Sequence, residues 1–540
     1  MKAIRPHTIC LVVLSVIGVV CPGILFAEDA AASPPADSEG AVQSTETQEG
    51  APASQPQKVV YLTLRQCVVL ALASGEGVGN YSLQIGRIDP EIARAQVAEA
   101  EAAFDPTLSL STLFADSRSL TASALVGADL EKTKVWKYEV GLLKKLKTGA
   151  TVEFKYAGVR MNTNSAYAAI NPYYDLDVGL TVTQPLLRGA WREYSTAGIR
   201  LAANSAERSE YDLTGIALQI ARQVHEAYWN LVFAIENLEV RKKSLSLAEG
   251  VLEDNRKRAA VGSIAPLEVV GAEANVEKQK QEIIVAESAI AQARDELRNL
   301  INQPEDVLEE DVLLIPQDSA RLAVEPVSAF DCVRDALAYR PELKQADIDI
   351  RSSGISIVVA RNELLPVIDL VATYNRNGLG GTFRGASTDE WRNGGTRDWG
   401  AGVNVEVPLG NRAARSAYTR SALEKTKALL AYDNLRRIVI LDVKSAVRAV
   451  ETALASVHAA EYQRIFAEKN LIAEQRKFEV GKSTSLDVLQ AQELLSRAES
   501  DELKSIVTYT TALVALEQTK GTLLKRLDVF VEPSAPPSNP

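Results

Sequence analysis

The sequence predicts a mainly α-helical fold with a β-barrel part, internally duplicated as a helix–helix–strand–strand–long helix–helix repeat. Three observations predict it. The stretch Phe478–Gln492, FEVGKSTSLDVLQAQ, has a faded double, AVGSIAPLEVVGAEA, at 260–274. Two long stretches lack proline, Pro185 to Pro266 and Pro408 to Pro533, and are rich in Ala, Leu, Glu, Lys and Arg. Segments beside Pro106, Pro185, Pro366 and Pro408 switch from a helical to a two-residue apolar period.

Residues 1–27 read as a cleaved export signal. Lys2 and Arg5 form a basic start, Ile9 to Val20 an apolar core, and Leu25-Phe26-Ala27 a cleavage site before Glu28. Pro22-Gly23 closes the apolar run too early for a membrane anchor. Gly18-Val19-Val20 before Cys21 lacks the leucine and small residues that favour lipidation. Residues 28–58 are rich in Ala, Pro, Ser, Glu and Gln and read as a disordered linker, as does the tail 529–540.

Two repeats lie between them, 59–304 and 305–528. LRQCVVLALASG at 64–75 is echoed by AFDCVRDALAYR at 329–340, which places Cys67 and Cys332 as buried thiols on amphipathic helices. AEAAFDPTLSLSTLF at 100–114 is echoed by ARNELLPVIDLVATY at 360–374, and VTQPLLRG at 182–189 by VEVPLGNR at 405–412.

Strands are expected at about 107–115, 136–146, 150–159 and 176–187 in the first repeat, and at 367–375 and 398–408 in the second. Leu108, Leu110 and Phe114 oppose Ser109 and Ser111; Val403, Val405 and Val407 oppose Gly402, Asn404 and Glu406. An apolar face backed by a polar one suits a barrel with lipid outside and water inside. The first repeat is longer by an extra hairpin turning at Lys147-Thr148-Gly149-Ala150. Long loops at 115–135, 159–175 and 376–397 against that short turn match the outer-membrane pattern, and Trp136, Trp191, Trp391 and Trp399 flank the strands. LGGTFRG at 379–385 is expected to be an extracellular loop with no helix after it. Six strands are too few for one chain to enclose a channel, so several copies are expected around one axis.

The proline-free stretches read as helices of about 70 residues, about 105 Å long, which need a coiled-coil or helical-barrel setting. Shorter return helices are expected at about 267–302 and 486–527.

The net charge of −11 argues against a nucleic-acid surface. His225 and His458 are the only histidines after the signal, and no CxxC, HExxH or nucleophile elbow is present. No enzyme activity, cofactor or metal is expected.

The duplicated element order, the strand prolines and the two turns resemble the TolC family of outer-membrane factors, over about 59–528. The resemblance implies a homotrimer in the outer membrane of a Gram-negative bacterium, its barrel continued by a periplasmic helical tunnel. It also implies a passive duct of a tripartite efflux pump or type I secretion system. The partners would be a periplasmic adaptor (membrane fusion) protein, an inner-membrane transporter and outer-membrane lipid. Two strands per repeat would make twelve in the trimer; the extra hairpin, if it joins the barrel, makes eighteen.

By the same resemblance Val261, Gly262, Val480 and Gly481 form the adaptor-contact tip, and Glu268, Asp487 and Gln490 the periplasmic entrance constriction. Gly271 and Gln490 stand where the family has further acids, which thins the acidic ring. The residues have a local reading too: Thr484 with Asp487 is a capping box, and Pro266 with Glu268 a helix start. The rival function is an exported coiled-coil structural or adhesive protein.

Overall fold

The computed structural model describes residues 59–73, 79–120, 129–301, 313–319, 322–392 and 396–529. The export signal 1–27, the whole linker 28–58 and all but the first residue of the tail 529–540 lie outside them. The described part opens with β1 (Val59–Leu62), α1 (Leu64–Leu72) and α2 (Tyr81–Ala102). Then follow β2 (Thr107–Leu120), β3 (Leu130–Lys145), β4 (Thr151–Thr163) and β5 (Tyr173–Pro185). A one-turn α3 (Arg192–Ser195) leads into α4 (Ala197–Ala260), which reverses into α5 (Pro266–Ile301).

The second repeat runs β6 (Leu313–Pro316), α6 (Ala329–Tyr339), α7 (Pro341–Glu363), β7 (Val367–Gly380), α8 (Phe383–Arg392) and β8 (Thr396–Glu406). It closes with α9 (Arg412–Glu479), α10 (Ser485–Lys520) and α11 (Leu523–Leu527). α4 and α9 hold 64 and 68 residues, and α5 and α10 hold 36 each. At about 1.5 Å per residue α9 is about 100 Å long.

Such helices are held by seams. On α9 the buried residues Val439, Val443, Val447, Val450, Ala453 and Val457 recur in steps of three and four, the spacing of a coiled-coil seam. They pack with Tyr509 and Leu516 of α10 and with Cys332 and Ala336 of α6. In the other core, Leu213, Val224, Tyr228 and Leu231 of α4 meet Cys67 of α1, Leu297 of α5, Leu314 of β6 and Val514 of α10. The repeats thus share cores. Cys67 and Cys332 are separate buried thiols, and burial pushes the Cys67 thiol up to about 12.

One contact had no signal in the sequence. β1 and β6 pair in parallel across the repeats, Val60 opposite Leu314. The Tyr228 hydroxyl donates to Asp318 Oδ2 at 2.7 Å, and the same carboxylate oxygen accepts from the Leu64 amide at 3.0 Å. Both strands have four residues, too few to show a period.

The six remaining strands form one antiparallel sheet in the order β2-β3-β4-β5-β7-β8. The extra hairpin β3–β4 is therefore inserted between β2 and β5. Directly paired residues share a face, and one row reads Leu108, Leu142, Phe154, Leu180, Tyr374 and Trp399 across all six strands. The neighbouring row of the other face reads Ser109, Gly141, Lys155, Gly179, Asn375 and Asp398.

The strands outrun their expected ends. β2 continues to Leu120 and pairs there with Leu130 of β3, so much of the expected loop 115–135 is ladder. β4 reaches Thr163, β5 starts at Tyr173, and both β5 and β8 stop about two residues early at the other end. The apolar alternation ends where the even positions become Asp116, Arg118, Lys132 and Lys134, while the backbone pairing, which needs no particular side chain, goes on. The expected loop 376–397 also differs: β7 runs to Gly380, and α8 starts at Phe383 inside LGGTFRG, where no helix was expected. α8 folds onto the apolar face, so a Cβ at Gly380 would strike the backbone of Ala386; Leu176 and Ala386 are fully buried there.

Candidate functional site

The two turns at which α4 and α9 reverse carry every sequence-predicted site residue. Both are built alike. Gly262 and Gly481 take φ of 76° and 74°, a left-handed conformation that favours glycine. The Gly262 amide donates to the Ala259 carbonyl at 3.0 Å and Ser263 to Arg258 at 2.9 Å. In the second turn Gly481 donates to Phe478 at 3.1 Å and Lys482 to Lys477 at 2.8 Å. These nested bonds are the Schellman motif, and they satisfy carbonyls that a helix end leaves free. Val261 and Val480, just before the glycines, are the C-caps.

The helix starts differ. In the second turn Thr484 accepts from the Asp487 amide at 3.3 Å, and Asp487 Oδ2 accepts from the Thr484 amide at 3.0 Å, a complete capping box. Hydrogen bonds from Thr484, side chain and then amide, hold the Asp487 carboxyl below the usual carboxylate range. The Ser483 hydroxyl lies 2.8 Å from Glu474 and 3.2 Å from Asp487, and Lys477 pairs with Glu474 at 2.6 Å. The second turn satisfies itself.

In the first turn Pro266 has no amide to cap, and the Glu268 side chain turns elsewhere. Glu268 Oε2 accepts from the Ser485 hydroxyl at 3.0 Å, in the other repeat. Arg258 donates to the Phe478 carbonyl at 3.1 Å and its guanidinium lies 4.1 Å from the centre of the Phe478 ring. Leu247 and Val251 of α4 pack against the cluster of Phe478, Val488, Ala491 and Leu495. Two hairpins far apart in the chain are thereby locked side by side.

Each turn presents apolar knobs outward. Val261, Leu267, Val480 and Leu486 are 76%, 78%, 68% and 61% exposed, at equivalent positions of the two repeats. Gln490 lies exposed one turn further along α10, and Asp487 is exposed while Glu268 is half-buried. A single chain brings Glu268 to the second turn but assembles no ring from Glu268, Asp487 and Gln490.

Reasoning from sequence had missed Leu267 and Leu486, although each directly precedes an acid already singled out. It also missed Arg258 and Ser485, whose roles exist only between repeats. Among the described residues no group of three or more His, Cys, Asp or Glu is placed to hold a metal, and no helix is long and apolar enough to cross a membrane.

Comparison with known proteins covers both repeats. Residues 78–303 and 332–522 match the family described as outer membrane efflux protein. The outer membrane protein TolC of Vibrio cholerae is 25% identical over 363 residues, 64% of this chain and 77% of that protein. The outer membrane efflux protein BepC of Brucella suis is 25% identical over 378 residues, 65% of this chain and 78% of its own. In fold the chain is similar to the CmeC outer membrane channel of Campylobacter jejuni, with a TM-score of 0.60 at 18% identity over 85% of this chain and 86% of the other.

Proposed function

Because the chain belongs to the outer membrane efflux protein family, we propose that it is the outer-membrane duct of a tripartite efflux pump or type I secretion system. Substrate passes through it passively, from a periplasmic adaptor and an inner-membrane transporter to the exterior. Three copies share one barrel. The observation that carries this is the state of the sheet edges: β2 and β8 are exposed along their whole length on both faces. An unpaired edge of that length invites a further strand. β8 of one copy beside β2 of the next removes every edge, and closed barrels are the form in which strands cross a membrane.

The position of β3–β4 inside the sheet supports eighteen strands rather than twelve. With strands about 4.8 Å apart and tilted by about 40°, eighteen give a backbone diameter of about 36 Å and twelve about 24 Å. The paired turns form the end facing the adaptor: Val261, Val480, Leu267 and Leu486 offer the contact, and Gly262 and Gly481 hold it in shape. Around the trimer axis Glu268, Asp487 and Gln490 line the entrance, where the carboxylates favour cations. The rival reading, an exported fibrous or adhesive protein, has no use for a sheet that is apolar on one face and polar on the other.

Extraction in mild detergent tests the proposal. A trimer that resists SDS until heated, with a strand ring about 36 Å across in averaged images, is expected. A monomer without conductance across planar lipid overturns the duct, and a ring of about 24 Å overturns the eighteen-strand wall.

A further inference from the structure

Beyond the apolar band, the outward face of the sheet turns basic. Along β3 the even positions read Lys144, Leu142, Val140, Tyr138, Trp136, Lys134 and Lys132. Lys144 and Lys134 are ten residues apart, about 26 Å in height at about 3.4 Å per residue and about 40° of tilt. That matches the apolar band of an outer-membrane barrel, about 25 Å tall. Lys134 therefore stands at the outer headgroup level and Lys132 about 5 Å beyond it.

The register gathers more cations on that face. Arg118 pairs with Lys132, Asp116 with Lys134, and Phe114 with Trp136, whose other neighbour is Arg160. Arg376 pairs with Arg397 at the end of the sheet formed by β7 and β8. At this end of the strands six strand cations thus share the face with one strand carboxylate, Asp116. That carboxylate is 3.7 Å from Arg118 and 3.8 Å from Lys134, and both cations keep more than half of their side chains exposed. Arg160 lies over the Tyr174 ring at 5.8 Å, and among the described residues Lys132 makes no ion pair.

The inward face of the same strands carries the reverse balance. Eight carboxylates, from Glu131 and Glu139 of β3 to Asp398 and Glu406 of β8, stand there against Lys137, Lys145 and Lys155. Successive residues of a strand alternate in face, so a merely solvated strand end would mix both signs on both sides. Separation by sign calls for an anionic surface outside. The row of Phe114, Trp136 and Tyr174, which sit where aromatics meet a membrane interface, fixes its depth.

We propose that Arg118, Lys132, Lys134 and Arg160 form a binding collar for the phosphates of outer-leaflet glycolipid. This rests on the outer-membrane reading above. The two guanidinium forks suit bidentate contact with phosphate. Lys134 and, about 5 Å further out, Lys132 add positive charge, that of Lys132 without an ion-pair partner among the described residues. Each copy supplies one collar, so a trimer binds three.

Native mass spectrometry of the detergent-extracted oligomer tests it with three probes: diphosphorylated lipid A, the same glycolipid dephosphorylated, and inorganic phosphate. The phosphorylated glycolipid should bind at least tenfold more tightly than the dephosphorylated one. Combined Arg118→Gln, Lys132→Gln and Lys134→Gln should remove that preference, while Arg118→Lys, Lys132→Arg and Lys134→Arg should keep it. If the glutamine variant fails to assemble, single Lys132→Gln must weaken binding measurably. Equal binding of both glycolipids, or a preference that survives the glutamine changes, overturns the collar. Competition by millimolar inorganic phosphate makes it a free-anion site and overturns it too. A wild-type chain that yields no oligomer sinks the duct; an oligomer indifferent to glycolipid phosphate sinks the collar alone.

Discussion

Replacing Gly481 by alanine isolates the backbone term of the turn. At φ of 74° an alanine suffers the left-handed penalty of about 1–2 kcal/mol. A Cβ built on either turn glycine meets nothing within 4 Å, so no packing clash adds to it. The cost falls on the Schellman bonds, above all that from the Lys482 amide to the Lys477 carbonyl at 2.8 Å. About 1.4 kcal/mol raises the open population about tenfold, and local opening is what amide exchange reads. In the detergent-extracted protein, Gly481→Ala should therefore speed exchange of the Lys482 amide about tenfold. Amides in the middle of α9, near Val447, should be untouched. Gly262→Ala should do the same at Ser263. Asparagine tolerates the left-handed region, so Gly481→Asn should recover most of the protection. If alanine and asparagine behave alike, or if neither changes exchange by more than twofold, the conformational argument for these glycines is wrong.

Two further outcomes are expected. Thr484→Ala removes one half of the capping box and should cost the start of α10 about 1 kcal/mol, seen as faster exchange over residues 485–488. Asp487, whose folded pKa is depressed, adds stability that is present above its unfolded pKa and lost as pH falls through the lower folded value. The protection of the same amides, referred to their intrinsic exchange rates, should therefore fall only in acid. His225 works in the opposite chemical sense. Burial, then Arg526, lowers its pKa from 6.5 to about 4, so the folded state holds it neutral. Stability is complete above 6.5 and falls by about 1.4 kcal/mol per pH unit below it, about 3 kcal/mol by pH 4. Denaturation series at pH 7.5, 6.0 and 4.5 should show that loss, and His225→Leu should flatten it.

What the sequence determined by itself is what a few neighbouring residues settle. Freedom from proline and apolar spacing set α4 and α9, because each helical bond spans only four residues. Gly262, Gly481 and the Thr484–Asp487 pair marked the turns for the same reason. Strand faces were legible wherever apolar and polar residues alternate, as at Leu108–Ser109–Leu110, and illegible past Phe114, where both faces are polar or charged. Tertiary structure alone decided which strands are neighbours and so put β3–β4 inside the sheet. It also decided that Glu268 serves Ser485, 217 residues away, instead of capping its own helix. It paired β1 with β6 and laid α8 on the apolar face. A side chain's partner across the chain depends on which surfaces become buried together, and a local pattern carries no record of that.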